Sequence, residues 1–381
     1  MTTRSGFTQQ QPKGYKAFIP TPLPPNPPFM LEGALVDKLA KAMASLSRLD
    51  GMAYTLPNTD LFIAMYGKKE ALLSSQIEGT QATLEDIFEF ESGVVVDNPD
   101  DVGEVLNYIK ALRYGIQRLT SLPLSLRLIK ELHAIILNPS KDACKTPGEF
   151  KRSQNWIGAP GSTLKDAIFV PPPPDEALKA MGELEKYIHG PSNLPELIDC
   201  ALMHYQFETI HPFLDGNGRV GRLLITFYLF WKRIIEKPLL YLSYYFKKNR
   251  QEYYDRLRMV SQTGNYEQWV LFFLEGVIQT SESAIQTTKQ ILTLQEDNKR
   301  ILYTKSSSVI ALRLLDQLFY TPIIQPTMIQ ELFGISHQTA TTLITKFVQY
   351  GILTEITGRK RGKRFVYTKY LDILSEGTKP L

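Results

Sequence analysis

Cysteine is almost missing from this sequence: Cys144 and Cys200 are the two in 381 residues. Neither belongs to a Cys-x-x-Cys pair or a Cys/His cluster, which argues against a disulfide scaffold and a structural zinc site. Both read as buried apolar filler. An excess of one charge is missing as well. The net charge of +4 is too small to imply nucleic-acid binding by itself. No long hydrophobic run occurs. The most apolar stretch, Leu223 to Trp231, falls far short of the ~20 residues needed to span a bilayer. The N-terminal MTTRSGFTQQQPKGYKAF lacks the apolar segment of a secretory signal. No repeat of solenoid length is present. These absences predict a cytoplasmic protein with no membrane partner. The composition, 43% hydrophobic and 22% charged, is that of a globular chain long enough for two or three domains.

Residues 1–30 end in IPTPLPPNPPF and a methionine. Proline there removes donors and fixes φ, which predicts an extended arm over a surface. From about Leu35 to Leu132 the spacing is helical. VDKLAKAMASLSRL places Val36, Leu39, Met43, Leu46 and Leu49 at three- and four-residue steps, and EVLNYIKALRYGIQRL repeats the pattern. Lys151 to Pro174 interrupts it. Gly158, Pro160 and Gly161 separate two extended pieces there, which predicts a β-hairpin or flap that Pro171–Pro174 bring to an end. Helices resume with LPELIDCALMHYQFETI and RLLITFYLFWKRI and continue to about Arg300. The expected division is an arm (1–30), an N-terminal helical region (31–120), a core with trailing helices (121–300) and a distinct C-terminal module (306–381).

The densest chemistry lies in HPFLDGNGRVGR, His211 to Arg222. It contains Gly216-x-Gly218-x-x-Gly221, the spacing of a dinucleotide fingerprint. That fingerprint must follow a hydrophobic strand in a βαβ unit. Here Leu194, Leu197, Ile198, Ala201, Leu202 and Tyr205 precede it as one helix face, so the dinucleotide reading fails. No Gly-Lys-Ser/Thr follows, so the loop is not a Walker A motif either. Helix, Gly-rich loop and helix remain. Gly216, Asn217 and Gly218 can turn their N–H groups inward as an anion nest, and the helix starting near Arg219 adds its positive end. Arg219 and Arg222, three apart, share a face beside it. Two guanidiniums and a nest suit a polyphosphate. Asp215 suits a magnesium ion bridging phosphate oxygens. His211, at the loop entrance, suits a proton acceptor working near neutral pH. The alternative for the whole set is a helix connection with solvated charges.

With its histidine, acid, glycines and arginines in place, the stretch resembles HxFx(D/E)GNGRxxR, the signature of Fic-domain proteins. His211, Phe213, Asp215, Gly216, Asn217, Gly218, Arg219 and Arg222 match at every fixed position. The likeness extends over roughly residues 30–300. It implies a mainly α fold: a Fic-type helical bundle with a small β-hairpin flap. It also implies transfer of AMP from ATP to a protein hydroxyl. By that resemblance His211 deprotonates a target Ser, Thr or Tyr, and Asp215 holds Mg²⁺. Gly216, Asn217 and Gly218 hold the α-phosphate, Arg219 and Arg222 take the β/γ end, and Val220 and Gly221 belong to the same ATP site. Phe213 anchors the loop. Asn249 is the candidate adenine or ribose contact, the alternative being a polar helix residue. The flap at 155–171 is the candidate dock for the target protein, whose chain would add as a strand.

A second feature lies upstream. In SSQIEGT, Glu78 falls in the last turn of a helix and Gly79 suits its cap. An acid there opposes the helix dipole by about 0.3–1 kcal/mol, so Glu78 calls for a compensating cation unless it is solvent-exposed. Ser74-x-x-x-Glu78-Gly79 also resembles the (S/T)xxxE(G/N) inhibitory motif of Fic proteins. That resemblance implies Arg222 as the partner of Glu78, with the carboxylate held where the ATP γ-phosphate belongs. The reverse reaction, removal of AMP at the same site, stays open. Of the other histidines, His204 is expected to pack or hydrogen-bond on its helix, and His133, His189 and His337 show no partner pattern.

In the C-terminal module SVIALRLLDQLFY, TMIQELFG and SHQTATTLITKFVQYG read as three helices, with Ser336 and Gly351 as caps of the third. A hairpin then surrounds a basic loop. This is the order of a winged helix-turn-helix. Arg359, Lys360, Arg361, Lys363 and Arg364 suit a phosphate backbone, and His337, Gln338, Thr339 and Thr341 lie where base edges are read. Residues 336–364 are thus a candidate DNA surface, protein docking or homodimerisation being the alternatives. The rival to an adenylyltransferase is a DNA-binding regulator whose core senses nucleotide.

Overall fold

The computed structural model describes residues 2–380 except 55, 57, 138–144, 160, 306–307 and 359–361. The expected N-terminal arm is largely a sheet. β1 (Thr2–Thr3), β2 (Gly6–Gln10) and β3 (Lys16–Pro20) form an antiparallel meander in that order, with Phe7 opposite Ile19 and Gln9 opposite Ala17. Ala17, Phe18 and Ile19 are buried. Extended hydrogen bonding explains the difference: Pro12 falls in the turn between β2 and β3, Pro20 ends β3, and the dense prolines begin only at Pro22, beyond the paired residues.

The bundle begins with α1 (Ala34–Ala53), α2 (Thr59–Ile77), α3 (Leu84–Glu91), α4 (Pro99–Arg118) and α5 (Leu126–Ile136). Along α1 the buried stripe is Leu35, Ala42, Leu46, Leu49 and Ala53, whereas Val36 and Met43 face out. The stripe is therefore rotated from the one expected, a consequence of packing against a single long helix introduced below. After the flap come α6 (Pro174–His189), α7 (Glu196–Ile210) and α8 (Asn217–Trp231). Nearly every residue of α7 and most of α8 are buried, as befits helices that are apolar all round. These two central helices carry the His211–Arg222 stretch between them.

α9 (Ser243–Lys248), α10 (Arg250–Thr263) and the 40-residue α11 (Tyr266–Lys305) follow. α11 packs along α1, and its Trp269 donates to the Ala201 carbonyl of α7 at 2.8 Å. The C-terminal module is α12 (Val309–Tyr320), β4 (Ile323–Ile324), α13 (Pro326–Phe333), α14 (His337–Gln349), β5 (Thr354–Glu355), β6 (Phe365–Val366) and α15 (Thr368–Leu374), with sheet order β4-β6-β5. The Ser336 hydroxyl accepts from Thr339 N–H at the start of α14, and Gly351 takes φ 70° beyond its end.

This module is bonded to the bundle. Arg364 reaches Glu89 of α3 at 2.6 Å. The chain end docks between α2 and α9: Gln76 Nε2 donates to Thr378 O at 2.8 Å, while Lys247 Nζ donates to Gln76 Oε1 at 2.6 Å and to the Gly377 and Lys379 carbonyls. No helix among the described residues is long and apolar enough to cross a membrane.

Candidate active site

α7 ends at His211, whose backbone turns left-handed (φ 48°, ψ 60°) and so stops the helix. The chain then forms a braced loop. Phe213 is fully buried and stacks on His133 of α5 at 3.7 Å between ring centres. His133 Nδ1 accepts from Gly148 N–H at 2.8 Å, which leaves the proton on Nε2 to donate to Asp215 O at 3.0 Å. Burial pulls His133 down to about 4, so the ring is neutral. The Asn217 amide closes the loop by accepting from Phe213 N and donating to Phe213 O, both at 2.8 Å. Gly216 supplies φ 75° at the N-cap. α8 thus starts at Asn217, two residues before Arg219, and the N–H groups of Asn217, Gly218 and Arg219 have no acceptor within the helix.

Four residues assigned from sequence make framework bonds here. Both ends of the Asn217 side-chain amide bond Phe213, which leaves its backbone N–H to face a ligand. Val220 is buried in the core and its N–H bonds Gly216 O, and Gly221 O accepts from His204 Nδ1 at 3.0 Å; both residues are framework. Asn249 turns its amide back to Tyr245 O at 3.0 Å, as a cap between α9 and α10. Its neighbour Arg250 reaches Ile77 O, which places this joint beside the end of α2.

The α2 end lies against the loop. Arg222, with 1% of its side chain exposed, donates from Nε to Ser74 Oγ and from Nη2 to Ser74 O, each at 2.9 Å, and from Nη2 to Glu78 Oε1 at 2.6 Å. Glu78 caps α2 and Gly79 takes φ 112° after it. The cation that Glu78 called for is therefore Arg222. Burial acts to lower Arg222, but Glu78 first, then Tyr253, Tyr254 and Glu208, outweigh it, and the guanidinium is held above its ordinary range. A Cβ on Gly218 would lie 2.2 Å from Glu78 Oε1, so the carboxylate rests on the glycine itself. That oxygen stands where an oxygen of an anionic ligand would meet the helix start and Arg222 together.

Arg219 is buried and donates to Glu104 of α4 at 3.1 Å, and its Nε has no partner. Asp215 lies at the rim, paired with Lys145 at 2.8 Å and accepting from Gly216 N–H at 2.6 Å. Burial raises its carboxyl, yet Lys145, Arg219 and that N–H outweigh it, and the group is held below its ordinary range. Among the described residues no three His, Cys, Asp or Glu side chains gather into a metal cluster.

His211 Nδ1 faces Glu208 O at 3.3 Å, which puts the ring proton there and leaves Nε2 with a free lone pair. Burial first, and the Lys151 amine second, pull the imidazole down to about 4. At neutral pH it is an unprotonated base. Glu208, one helical turn before it, was not singled out by sequence. Its Oε1 is buried without a partner, and a Cβ on Gly221 would lie 2.1 Å from it. Burial pushes this carboxyl up to about 8, against the pull of Arg222.

The flap is thinner than a full hairpin. Ile157 and Phe169 form a single antiparallel bridge, with a 3-10 turn at Leu164–Asp166. Phe18 of β3 donates to Val170 O at 2.9 Å, so one side of the 168–170 strand is already occupied. The inner end of the flap is tied to the loop by Lys151 and Asn155, also not singled out by sequence. Lys151 N–H bonds Pro212 O at 2.8 Å, and Asn155 Nδ2 bonds His211 O at 3.0 Å and Phe213 O at 2.7 Å.

The remaining assignments fall away from this centre. His204 is buried between Gly221 O and the Tyr253 hydroxyl, His189 bonds Leu124 O, and His337 is exposed on α14. Cys200 is fully buried, and Cys144 lies outside the described residues. Arg359, Lys360 and Arg361 also lie outside them, while Lys363 and Arg364 pair with Glu355 and Glu89.

Comparison with known proteins agrees with this geometry. Residues 36–117 match the family described as Fic/DOC family N-terminal, and residues 123–229 match the Fic/DOC family. Proteins called Protein adenylyltransferase Fic from Drosophila yakuba and Drosophila willistoni are 28% identical over 235 residues, 59% of this chain. The chain spans less than half of their length, 44%. A crystal structure of a Fic family protein from Desulfovibrio desulfuricans G20 superposes with TM-score 0.58 at 19% identity, over 89% of this chain and 97% of that one. Fic-1 from C. elegans superposes with TM-score 0.50 at 22% identity, over 67% and 74%. Likeness at these identities shows a shared fold.

Proposed function

This chain carries a Fic N-terminal region followed by a Fic domain, and from that premise we propose that it transfers AMP from ATP to a Ser, Thr or Tyr hydroxyl of a target protein, with Glu78 holding the site closed. One observation carries the reading. A neutral imidazole with a free Nε2 stands at the head of an anion site in which Arg222 holds a carboxylate of the same chain against Gly218.

The chemistry follows from those groups. The target oxygen attacks the α-phosphorus, its proton passes to His211 Nε2, and the bond from the α-phosphorus to the bridging oxygen breaks to release pyrophosphate. The N–H groups of Asn217, Gly218 and Arg219 face the α-phosphate, while the guanidiniums of Arg219 and Arg222 neutralise the β and γ groups. The partnerless Arg219 Nε supports an anion at that point.

Asp215 would hold Mg²⁺. It is a single rim carboxylate kept ionised by its surroundings, and magnesium takes one or two carboxylates together with phosphate oxygens and water. Lys145 pairs with that carboxylate in its place. Bound there, the ion would neutralise charge on the departing pyrophosphate.

The target protein fits the flap. With β3 on the far side, the edge that stays open is that of residues 155–158, next to His211. Main-chain pairing along that edge would deliver a hydroxyl to Nε2 without reading much sequence. The reading as a DNA-binding regulator finds less support, because Lys363 and Arg364 are paired with carboxylates of this chain.

ATP labelled on the α-phosphorus, set beside ATP labelled on the γ-phosphorus, tests the reaction. AMP transfer leaves the α label on protein and the γ label in solution. Retention of the γ label would make the protein a kinase instead.

A further inference from the structure

His211 adopts a left-handed backbone that a residue with a side chain enters only at a cost, so the surroundings must impose it. Four successive carbonyls show how. Ile210 O accepts from Lys151 Nζ at 3.3 Å, His211 O from Asn155 Nδ2 at 3.0 Å, Pro212 O from Lys151 N–H at 2.8 Å, and Phe213 O from Asn155 Nδ2 at 2.7 Å. Two residues of one segment thus hold the backbone through the whole turn. They also hold each other, since Lys151 Nζ donates to Asn155 Oδ1 at 2.7 Å. Both are buried, at 3% and 7% exposure. Two residues further on, Ile157 makes the bridge to Phe169 that forms the flap.

Lys151 is an expensive choice for a mere brace. Its amine lies among neutral acceptors, and burial pushes it down to about 7. An apolar side chain of similar length would fill the volume with less desolvation. What an apolar residue could not do is bond Ile210 O, orient Asn155 and lower the proton affinity of His211 together.

We infer that Lys151 and Asn155 are positioning residues of the transfer reaction: they lock the turn that aims His211 Nε2 and tie that turn to the flap edge where the target strand lies. Base and target are thereby brought into register by one pair of side chains. The inference rests on the AMP-transfer reading of the site. It assigns the pair no contact with substrate; both act through His211 and the flap.

The charged groups facing His211 are Lys151 from the segment leading into the flap, Glu78 from the end of α2 and Asp215 from the loop, with the Glu208 carbonyl on Nδ1. Of these Lys151 alone lowers the imidazole, so its removal has a defined sign.

The test uses the full chain with Glu78→Gly as the active parent. Asn155→Asp keeps the shape and replaces the donor to His211 O and Phe213 O by an acceptor. The turnover number should fall by about 10- to 100-fold, the range a displacement near 1 Å produces, with ATP affinity within about twofold of the parent. Lys151→Met should act likewise and raise the His211 titration measured by NMR, while Lys151→Arg, which keeps donors and charge, should recover most of the loss. A turnover number unchanged in both Asn155→Asp and Lys151→Met overturns the inference. So does a loss matched step for step by lost ATP binding and melting temperature, which would mark a structural brace. If the Glu78→Gly parent transfers no AMP, the functional reading fails, and the NMR titration still decides the positioning claim: an unmoved His211 in Lys151→Met and Asn155→Asp refutes it.

Discussion

Glu78 and Arg222 lie 144 positions apart in the chain and 2.6 Å apart in space. Their contact joins the C-cap of α2 to the second turn of α8, so it links the N-terminal region to the His211–Arg222 loop. It also resolves two local problems at once. The carboxylate offsets its unfavourable position at a helix C-terminus, and the buried guanidinium gains a charged partner in addition to Ser74. The same guanidinium is the group a polyphosphate would need, so the contact and the substrate compete.

Ser74 should matter to stability. Its hydroxyl accepts from Arg222 Nε inside a fully buried site. Ser74→Ala removes an acceptor from a charged donor, and the loss should be about 1.5–3 kcal/mol. Chemical denaturation of the parent and variant measures it; a difference below about 0.5 kcal/mol would mean that solvent or Glu78 takes over the donor.

Gly218→Ala separates close approach from backbone freedom, because Gly218 is helical and has no left-handed φ. The new methyl would lie 2.2 Å from Glu78 Oε1 and 2.9 Å from Arg222 Nη1. It should displace Glu78 yet occupy the ligand position. In the Glu78→Gly background it should therefore weaken ATP binding by about tenfold or more, with little change in melting temperature. Isothermal titration and a thermal melt report both quantities.

The pH dependence has a defined sign. A base must be neutral to accept a proton, and His211 is drawn down to about 4 by burial and Lys151. Activity should stay level as pH falls through 6.5, the ordinary imidazole value, and decline only near pH 4–5, where the ring protonates. The acid limb of kcat/KM reads the free enzyme. A limb centred near 6.5 would place His211 in a solvated setting and contradict the geometry.

Lys247 is expected to secure the chain end. It is buried and holds the Gly377 and Lys379 carbonyls together with Oε1 of Gln76, two residues before Glu78. Lys247→Met leaves those acceptors unpaired and should lower stability by about 1–3 kcal/mol. Proteolysis of the C-terminal residues should quicken in parallel, and unchanged susceptibility would show that the tail docks by other contacts.

How much of this could be read in advance depended on distance along the chain. The His211–Arg222 loop was legible because its residues are contiguous, and so were the Ser336 and Gly351 caps. The N-terminal sheet was not. β2 has only Gly6 buried and β3 is buried at four successive positions, so neither shows the alternation that marks a half-buried strand. Lys151 and Asn155 were missed because their carbonyl partners lie 56 to 61 residues away, and backbone carbonyls carry no sequence signal. Glu208 offered one sign, an acid one turn before His211 at the end of a helix that is buried almost all round. The bracing bonds of Asn217 and the burial of Val220 could not be read in advance, because a contiguous motif does not tell which side chains point into the loop. The basic loop at 359–364 read as free charge, and its Arg364 lies on Glu89, 275 positions away.

Control by Glu78 is tested most directly by the rate of AMP incorporation, followed by intact mass, in the unmodified chain, Glu78→Gly, and Glu78→Gly with His211→Ala. Loss of one charge-assisted contact to Arg222 should raise the rate by about 10- to 100-fold, the equivalent of 1.5–3 kcal/mol, and His211→Ala should remove the gain. Equal rates with and without Glu78, at equal ATP binding, would contradict a site held closed by its own chain.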